Sequence, residues 1–155
     1  MGTNNLYREL QQVNTFDRIE KEGELTTNWL GPCIGSAIYS EKENIAYVGH
    51  FIFILDDGTS IRKYLDAVKN EFKSLEKLKV AVRGCHMWSD ANEREQEYRS
   101  RQRTHFITML KNADFLDEQL DIQWGADDYI SKLSYNASER KIKLVTIPED
   151  ELSKQ

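Results

Sequence analysis

Proline and cysteine are scarce in this 155-residue chain, with 2 of each, and glycine reaches only 8. So few prolines and glycines exclude a collagen-like or low-complexity chain, and an apolar content of 39% excludes a disordered one. Two cysteines do not make the dense disulfide framework of a small secreted domain. They are not needed as staples, because a chain of this length buries roughly 70% of its unfolded surface. Positive charge is in deficit: 21 basic against 26 acidic residues leave a net charge of -5, which argues against nucleic acid as the main partner. Long apolar runs are missing as well. The longest mostly apolar stretch, Tyr47 to Leu55, contains His50 and falls well short of the ~20 residues a membrane helix needs. Arg8, Glu9, Asp17, Arg18 and Glu20 break up the start of the chain and leave no apolar core for a secretory leader. The expectation is one cytoplasmic domain over 1–155 without membrane insertion, in which 1–20 and the tail 148–155 are peripheral. In a reducing compartment Cys33 and Cys85 are free thiols, each a nucleophile or plain filler.

What is present reads as alternating strands and helices. Leu6, Leu10, Val13, Phe16 and Ile19 lie three or four apart, which predicts a short amphipathic helix over 6–19. Leu25, Thr26, Thr27 and Trp29 are strand formers, and that segment ends at the Gly31-Pro32 corner. The β-branched, small and aromatic runs Ile34 to Tyr39 and Ile45 to Ile54 flank a polar turn and predict a β-hairpin. Asp56-Asp57-Gly58 breaks the chain, and Thr59 or Ser60 caps a helix over about 60–75 whose buried stripe is Ile61, Tyr64, Leu65, Val68, Phe72 and Leu75. Leu78, Val80 and Val82 alternate in a short strand stopped by Gly84. Asp90 and Glu93 form a capping box for a second helix reaching to about 113. Leu120, Ile122 and Trp124 alternate in a strand, and Tyr129 to Tyr135 with Lys141 to Ile147 make a second hairpin. The fold class is therefore α/β of the α+β kind, a predominantly antiparallel mixed sheet with two main helices packed on it.

The first hairpin carries a geometric argument about chemistry. If Ser40 faces Ile45 across the turn, paired residue numbers sum to 85, and His50 lies opposite Gly35. Cys33 then points the same way as Gly35, which makes Cys33 and His50 diagonal neighbours on one face of the sheet. Gly35 places no side chain of its own between them. A histidine beside a thiol matters because the thiolate is the nucleophile in acyl transfer, and an imidazole can take its proton. Thr27, one strand earlier, is placed to orient His50 by a hydrogen bond. The plainer reading makes Cys33 a small buried residue and His50 a satisfied interior histidine.

The run Leu25-Thr26-Thr27, then Leu30-Gly31-Pro32-Cys33-Ile34-Gly35, then Gly49-His50-Phe51 resembles the active-site region of the CheD family of chemoreceptor glutamine deamidases. That family shows a threonine, then L-G-S-C-V-G, then a histidine followed by phenylalanine; Pro32 stands here in place of the serine. The toxin deamidases of the cytotoxic-necrotizing-factor type have a similar cysteine and histidine core. The resemblance implies Cys33 as nucleophile, His50 as base and Thr27 as the orienting residue, in a CheD-like domain. It implies hydrolysis of a protein glutamine side chain to glutamate and ammonia through a thioester, with no cofactor. The substrate would be a protein presenting glutamine, a chemoreceptor-like helix or a host protein. Gly31, Pro32, Ile34, Gly35, Cys85 and His86 would line the substrate pocket, with backbone N–H groups of Cys33 and Ile34 receiving the oxyanion. The alternative is a catalytically silent module of the same fold that docks a helical protein partner.

Other candidates are less specific. Cys85, His86, His105 and Cys33 lack the paired spacing of a zinc site, so no metal is expected. His105 falls on the apolar stripe of the second helix, which suits a core or boundary position. Arg94, Arg99, Arg101 and Arg103 make that helix locally basic, but Glu95 with Arg99 and Glu97 with Arg101 are spaced for pairing along a solvated face.

Overall fold

The computed structural model describes residues 6–152. Nine strands, β1 Tyr7–Leu10, β2 Thr15–Glu20, β3 Glu24–Thr27, β4 Ile34–Ser40, β5 Ile45–Phe51, β6 Lys79–Gly84, β7 Leu120–Trp124, β8 Tyr129–Asn136 and β9 Lys141–Pro148, form the frame of the described residues. The helices are α1 Phe53–Asp56, α2 Thr59–Glu71, α3 Glu93–Asn112 and α4 Glu149–Leu152, of which α1 and α4 are single turns. The α+β class and the prevalence of antiparallel pairing are as expected. The strands divide, however, between two mixed sheets, ordered β1-β3-β8-β9 and β2-β5-β4-β6-β7. At the Gly31-Pro32 corner the chain crosses from β3 in the first sheet to β4 in the second, since Leu30 still bridges Ser131 of β8 while Ile34 already pairs in β4.

Side-chain alternation along the central strands builds two cores. Ile34, Ile38, Tyr47 and Phe51 turn one way and meet Ile61, Tyr64, Leu65 and Val68 of α2 and Phe106 and Leu110 of α3. Burial of an aliphatic side chain such as Ile61, Leu65 or Val68 contributes roughly 1.5–3 kcal/mol, which fixes α2 on the sheet. Ala37, Ala46, Val48 and Ala81 turn the other way and meet Leu25, Leu133 and Tyr135 of the four-stranded sheet. Small residues on one sheet opposite large ones on the other let the two sheets approach closely. The result is three layers: helices, five-stranded sheet, four-stranded sheet. None of the helices among the described residues is long and apolar enough to cross a membrane.

Several boundaries differ from the sequence expectation. Residues 6–19 form β1 and β2 rather than a helix. Asn14 takes φ 57°, a left-handed turn that no helix accommodates, and donates its N–H to the His50 carbonyl at 2.6 Å. The turn before α2 is capped from outside: Asp56 accepts from the N–H groups of Gly58 and Ser60 at 3.1 Å, and Gly58 at φ 83° takes the cap position instead of Thr59 or Ser60. The cap of α3 is Asn92, whose Oδ1 accepts from the Glu95 N–H at 2.8 Å, not Asp90. Strand β5 ends at Phe51 because the chain turns into α1. The tail after Pro148 begins as the turn α4, and 153–155 lie outside the described residues.

Candidate active site

The first hairpin has the register its turn implied. Ser40 faces Ile45 and Gly35 faces His50. Cys33 immediately precedes β4, so it lies diagonal to His50 across Gly35, on the face turned toward the four-stranded sheet. Both groups are nearly enclosed, with Cys33 7% and His50 3% exposed. Neither Nδ1 nor Nε2 of His50 has a hydrogen-bond partner among the described residues, the Cys33 thiol included. Burial drives the electrostatics. It pushes the Cys33 thiol up to about 12, with Cys85 adding to the rise, and the His50 imidazole down to about 4. At neutral pH the resting groups are therefore a thiol and a neutral imidazole, not a thiolate and an imidazolium.

Thr27 does not make the expected hydrogen bond to His50. Its Oγ1 accepts from the Leu133 N–H at 3.0 Å, which ties β3 to β8. Nor is the space over Gly35 left open. The Leu30 side chain fills it, and a Cβ at Gly35 would lie 2.6 Å from Leu30 Cδ1 and 3.5 Å from Leu133 Cβ. Gly35 thus serves the packing of the two sheets rather than the free swing of His50.

The remaining predicted pocket residues scatter around Cys33. Gly31 and Pro32 are half-buried at the corner, with Trp88 near Gly31. Ile34 is fully buried in the helix-side core, so it points away from the face that Cys33 shares with His50. Cys85 lies just past the Ile34–Gly84 end of the β4–β6 pairing, and its N–H donates to the Cys33 carbonyl at 2.7 Å. Its side chain turns into the helix-side core, because Gly84 at φ 86° and Cys85 at φ 48° twist the strand end. His86 is 1% exposed and fully partnered: Nδ1–H donates to the Ala126 carbonyl at 2.8 Å, which leaves Nε2 to accept from Ser131 Oγ at 2.9 Å. Both therefore brace the corner from behind. His105 is exposed and stacks on Phe53 at 4.4 Å rather than entering the core.

The arginines of α3 behave differently from a solvated face. Arg101 pairs with Glu97 at 3.7 Å as expected, but Arg99 is buried, donates to the His86 carbonyl at 3.0 Å and lies 4.1 Å over the Trp88 ring. Arg103 donates to the Cys85 carbonyl at 2.6 Å and covers Trp124. Two cations thus clamp the segment opposite Cys33. The sequence reading missed Gln102 between them, although a visible signal was there: with Tyr98, Phe106 and Leu110 it occupies every fourth position of the inward stripe, and it is the polar member. Gln102 also lines a cavity of about 560 Å3 together with Phe53, Ile54, Asp56, Tyr98 and His105; Cys33 and His50 do not line it.

Compared with known proteins, the chain matches no family model and no curated protein.

Proposed function

We propose that the chain is a cysteine-dependent protein-glutamine deamidase of the CheD type, with Cys33 as nucleophile and His50 as the proton carrier. The observation that carries this reading is His50 itself. Trp88 Nε1, Tyr98 Oη and Arg103 Nε are also buried without a partner among the described residues, but a ring with both nitrogens unpartnered carries a cost of roughly 1–3 kcal/mol for each group left unmade, which calls for a reason. Its position diagonal to Cys33 supplies the reason. When a glutamine side chain enters, the sulfur bonds to the amide carbon as the thiol proton passes to His50. The carbon–nitrogen bond then breaks and ammonia leaves with that proton. Water, deprotonated by His50, attacks the thioester, releasing glutamate and restoring the thiol. At rest the imidazole is neutral and has an open acceptor, but burial holds its basicity far below that of the thiolate, so the proton transfer is uphill in the empty site and must be driven by the bond that forms to the amide carbon. Cytoplasmic proteins presenting glutamine on an exposed helix are the class of substrate the resemblance favours.

A silent docking module of the same fold is favoured by the enclosure of both groups and by their absence from the neighbouring cavity. One experiment separates the two readings. Chemoreceptor cytoplasmic segments, and then host-cell proteins, are incubated with the wild type and with Cys33→Ser and analysed by mass spectrometry. Conversion of specific glutamines to glutamate by the wild type alone is the expected result. Stable binding of a helical segment with its glutamines unchanged would overturn the deamidase in favour of the module.

A further inference from the structure

Gln102 bonds to both ends of the hairpin that carries Cys33 and His50. Its Nε2 donates to the Pro32 carbonyl at 2.7 Å, directly before Cys33, and its Oε1 accepts from the Phe53 N–H at 3.0 Å, three residues after His50. The same Nε2 approaches Cys85 Sγ at 3.4 Å. The side chain is 2% exposed and comes from α3, on the face of the sheet opposite Cys33. A trans peptide is planar and holds its C=O and N–H pointing in opposite directions. Holding the Pro32 oxygen toward Gln102 therefore aims the Cys33 N–H away from that side chain. The loop is held by Leu30 N–H to Ser131, Cys85 N–H to Cys33 and His86 N–H to Gly31, and none of these bonds uses the Cys33 N–H.

From this geometry we infer that Gln102 is a positioning residue for acyl transfer at Cys33: it orients the Pro32–Cys33 peptide so that the Cys33 N–H receives the oxyanion formed when the sulfur attacks a carbonyl. The inference rests on the deamidase reading and adds to it the part of the site that stabilises the intermediate. Gln102 touches no reacting atom. It acts through the peptide plane, and its carboxamide is suited to the task because it supplies a donor for Pro32 and an acceptor for Phe53 at once.

Two reagents that differ in whether an oxyanion forms test this on the full chain. p-Nitrophenyl acetate acylates the thiol through a tetrahedral oxyanion, whereas iodoacetamide alkylates it by displacing iodide, with no oxyanion. Both are followed by mass spectrometry of the peptide containing Cys33. In Gln102→Met, acylation is expected to fall roughly tenfold relative to wild type while alkylation stays within about twofold. Gln102→Glu is the second variant: its carboxylate loses the donor to Pro32 at neutral pH, and protonation restores one, so its acylation rate relative to wild type is expected to recover as pH falls. Equal loss of acylation and alkylation, or no loss of either, overturns the role of Gln102. A wild-type Cys33 that is alkylated but never acylated overturns the deamidase reading beneath it, and the inference with it.

Discussion

Leu30 occupies the space above Gly35, so that the glycine between Cys33 and His50 is covered by a side chain from the other sheet. The two residues lock the layers together at the level of the candidate site. Gly35→Ala places a methyl 2.6 Å from Leu30 Cδ1, so the fully buried Leu30 side chain must shift. Overpacking of this kind costs about 1–3 kcal/mol, and Leu30→Ala alone costs about 2–5 kcal/mol through the cavity it leaves. The double variant should lose clearly less than the sum, because each change relieves the other. Urea unfolding of the four proteins measures the coupling; strict additivity would show that the contact is not made.

His50→Leu should stabilise the protein while abolishing the proposed activity. The leucine fills a similar volume without two unpartnered nitrogens, a gain of about 1–3 kcal/mol, which raises Tm by roughly 2–4 °C per kcal/mol in a domain of this size. The pH dependence follows from the same burial. The unfolded imidazole takes up its proton near pH 6.5 and the folded one only near 4, so stability is intact above pH 6.5 and falls as pH drops between those values. The accumulated loss approaches about 3 kcal/mol at the acid end. His86, also lowered by burial, contributes in the same sense in both proteins, so the difference between wild type and His50→Leu isolates His50. Parallel stability curves for the two would contradict the unpartnered ring.

How much of this was readable beforehand depended on whether the cause was local. The register of the β4–β5 hairpin follows from a polar turn between two apolar runs, and both the Gly35–His50 pairing and the Asn136–Lys141 end of the second hairpin are formed. The β1–β2 region misled because Leu6, Leu10, Val13, Phe16 and Ile19 have helical spacing by coincidence. What decides their conformation is the pairing of Thr15 to Glu20 with β5, a partner some thirty residues away. The insertion of Leu30 over Gly35 and the turning away of Cys85 depend on how two sheets and a helix layer stack, which no local pattern encodes. Gln102 lay between these cases: a polar residue on an apolar stripe signals a buried hydrogen-bonding task, but not which backbone it serves.

Alkylation of Cys33 should report a protonated thiol. With the group pushed up to about 12, its rate at neutral pH is slow and should rise about tenfold per pH unit through the alkaline range without levelling off. Cys85, with no exposure, should react more slowly still. Because the neutral His50 makes no bond to the sulfur, His50→Leu should leave the slope unchanged. Peptide mapping after timed labelling reads both cysteines in one sample. A plateau reached below pH 8 would instead reveal a preformed thiolate–imidazolium pair.

The bracing of the Cys33 corner from behind makes Gly125 sensitive to a single added methyl. A Cβ there would fall 2.0 Å from His86 Cε1. The ring cannot give way, since both its nitrogens are engaged, one on Ala126 and one on Ser131. Its backbone N–H is in turn bonded to the Gly31 carbonyl at 2.7 Å, two residues before Cys33. Gly125→Ala should therefore cost about 3 kcal/mol and loosen the corner, so that Cys33 alkylates faster at a given pH. Adding His86→Ala to Gly125→Ala should recover part of the stability by removing the ring that the methyl meets, yet leave the alkylation fast, because the anchor supplied by the ring is gone. If the double variant restored slow alkylation as well, the ring would be filling space and not holding the corner.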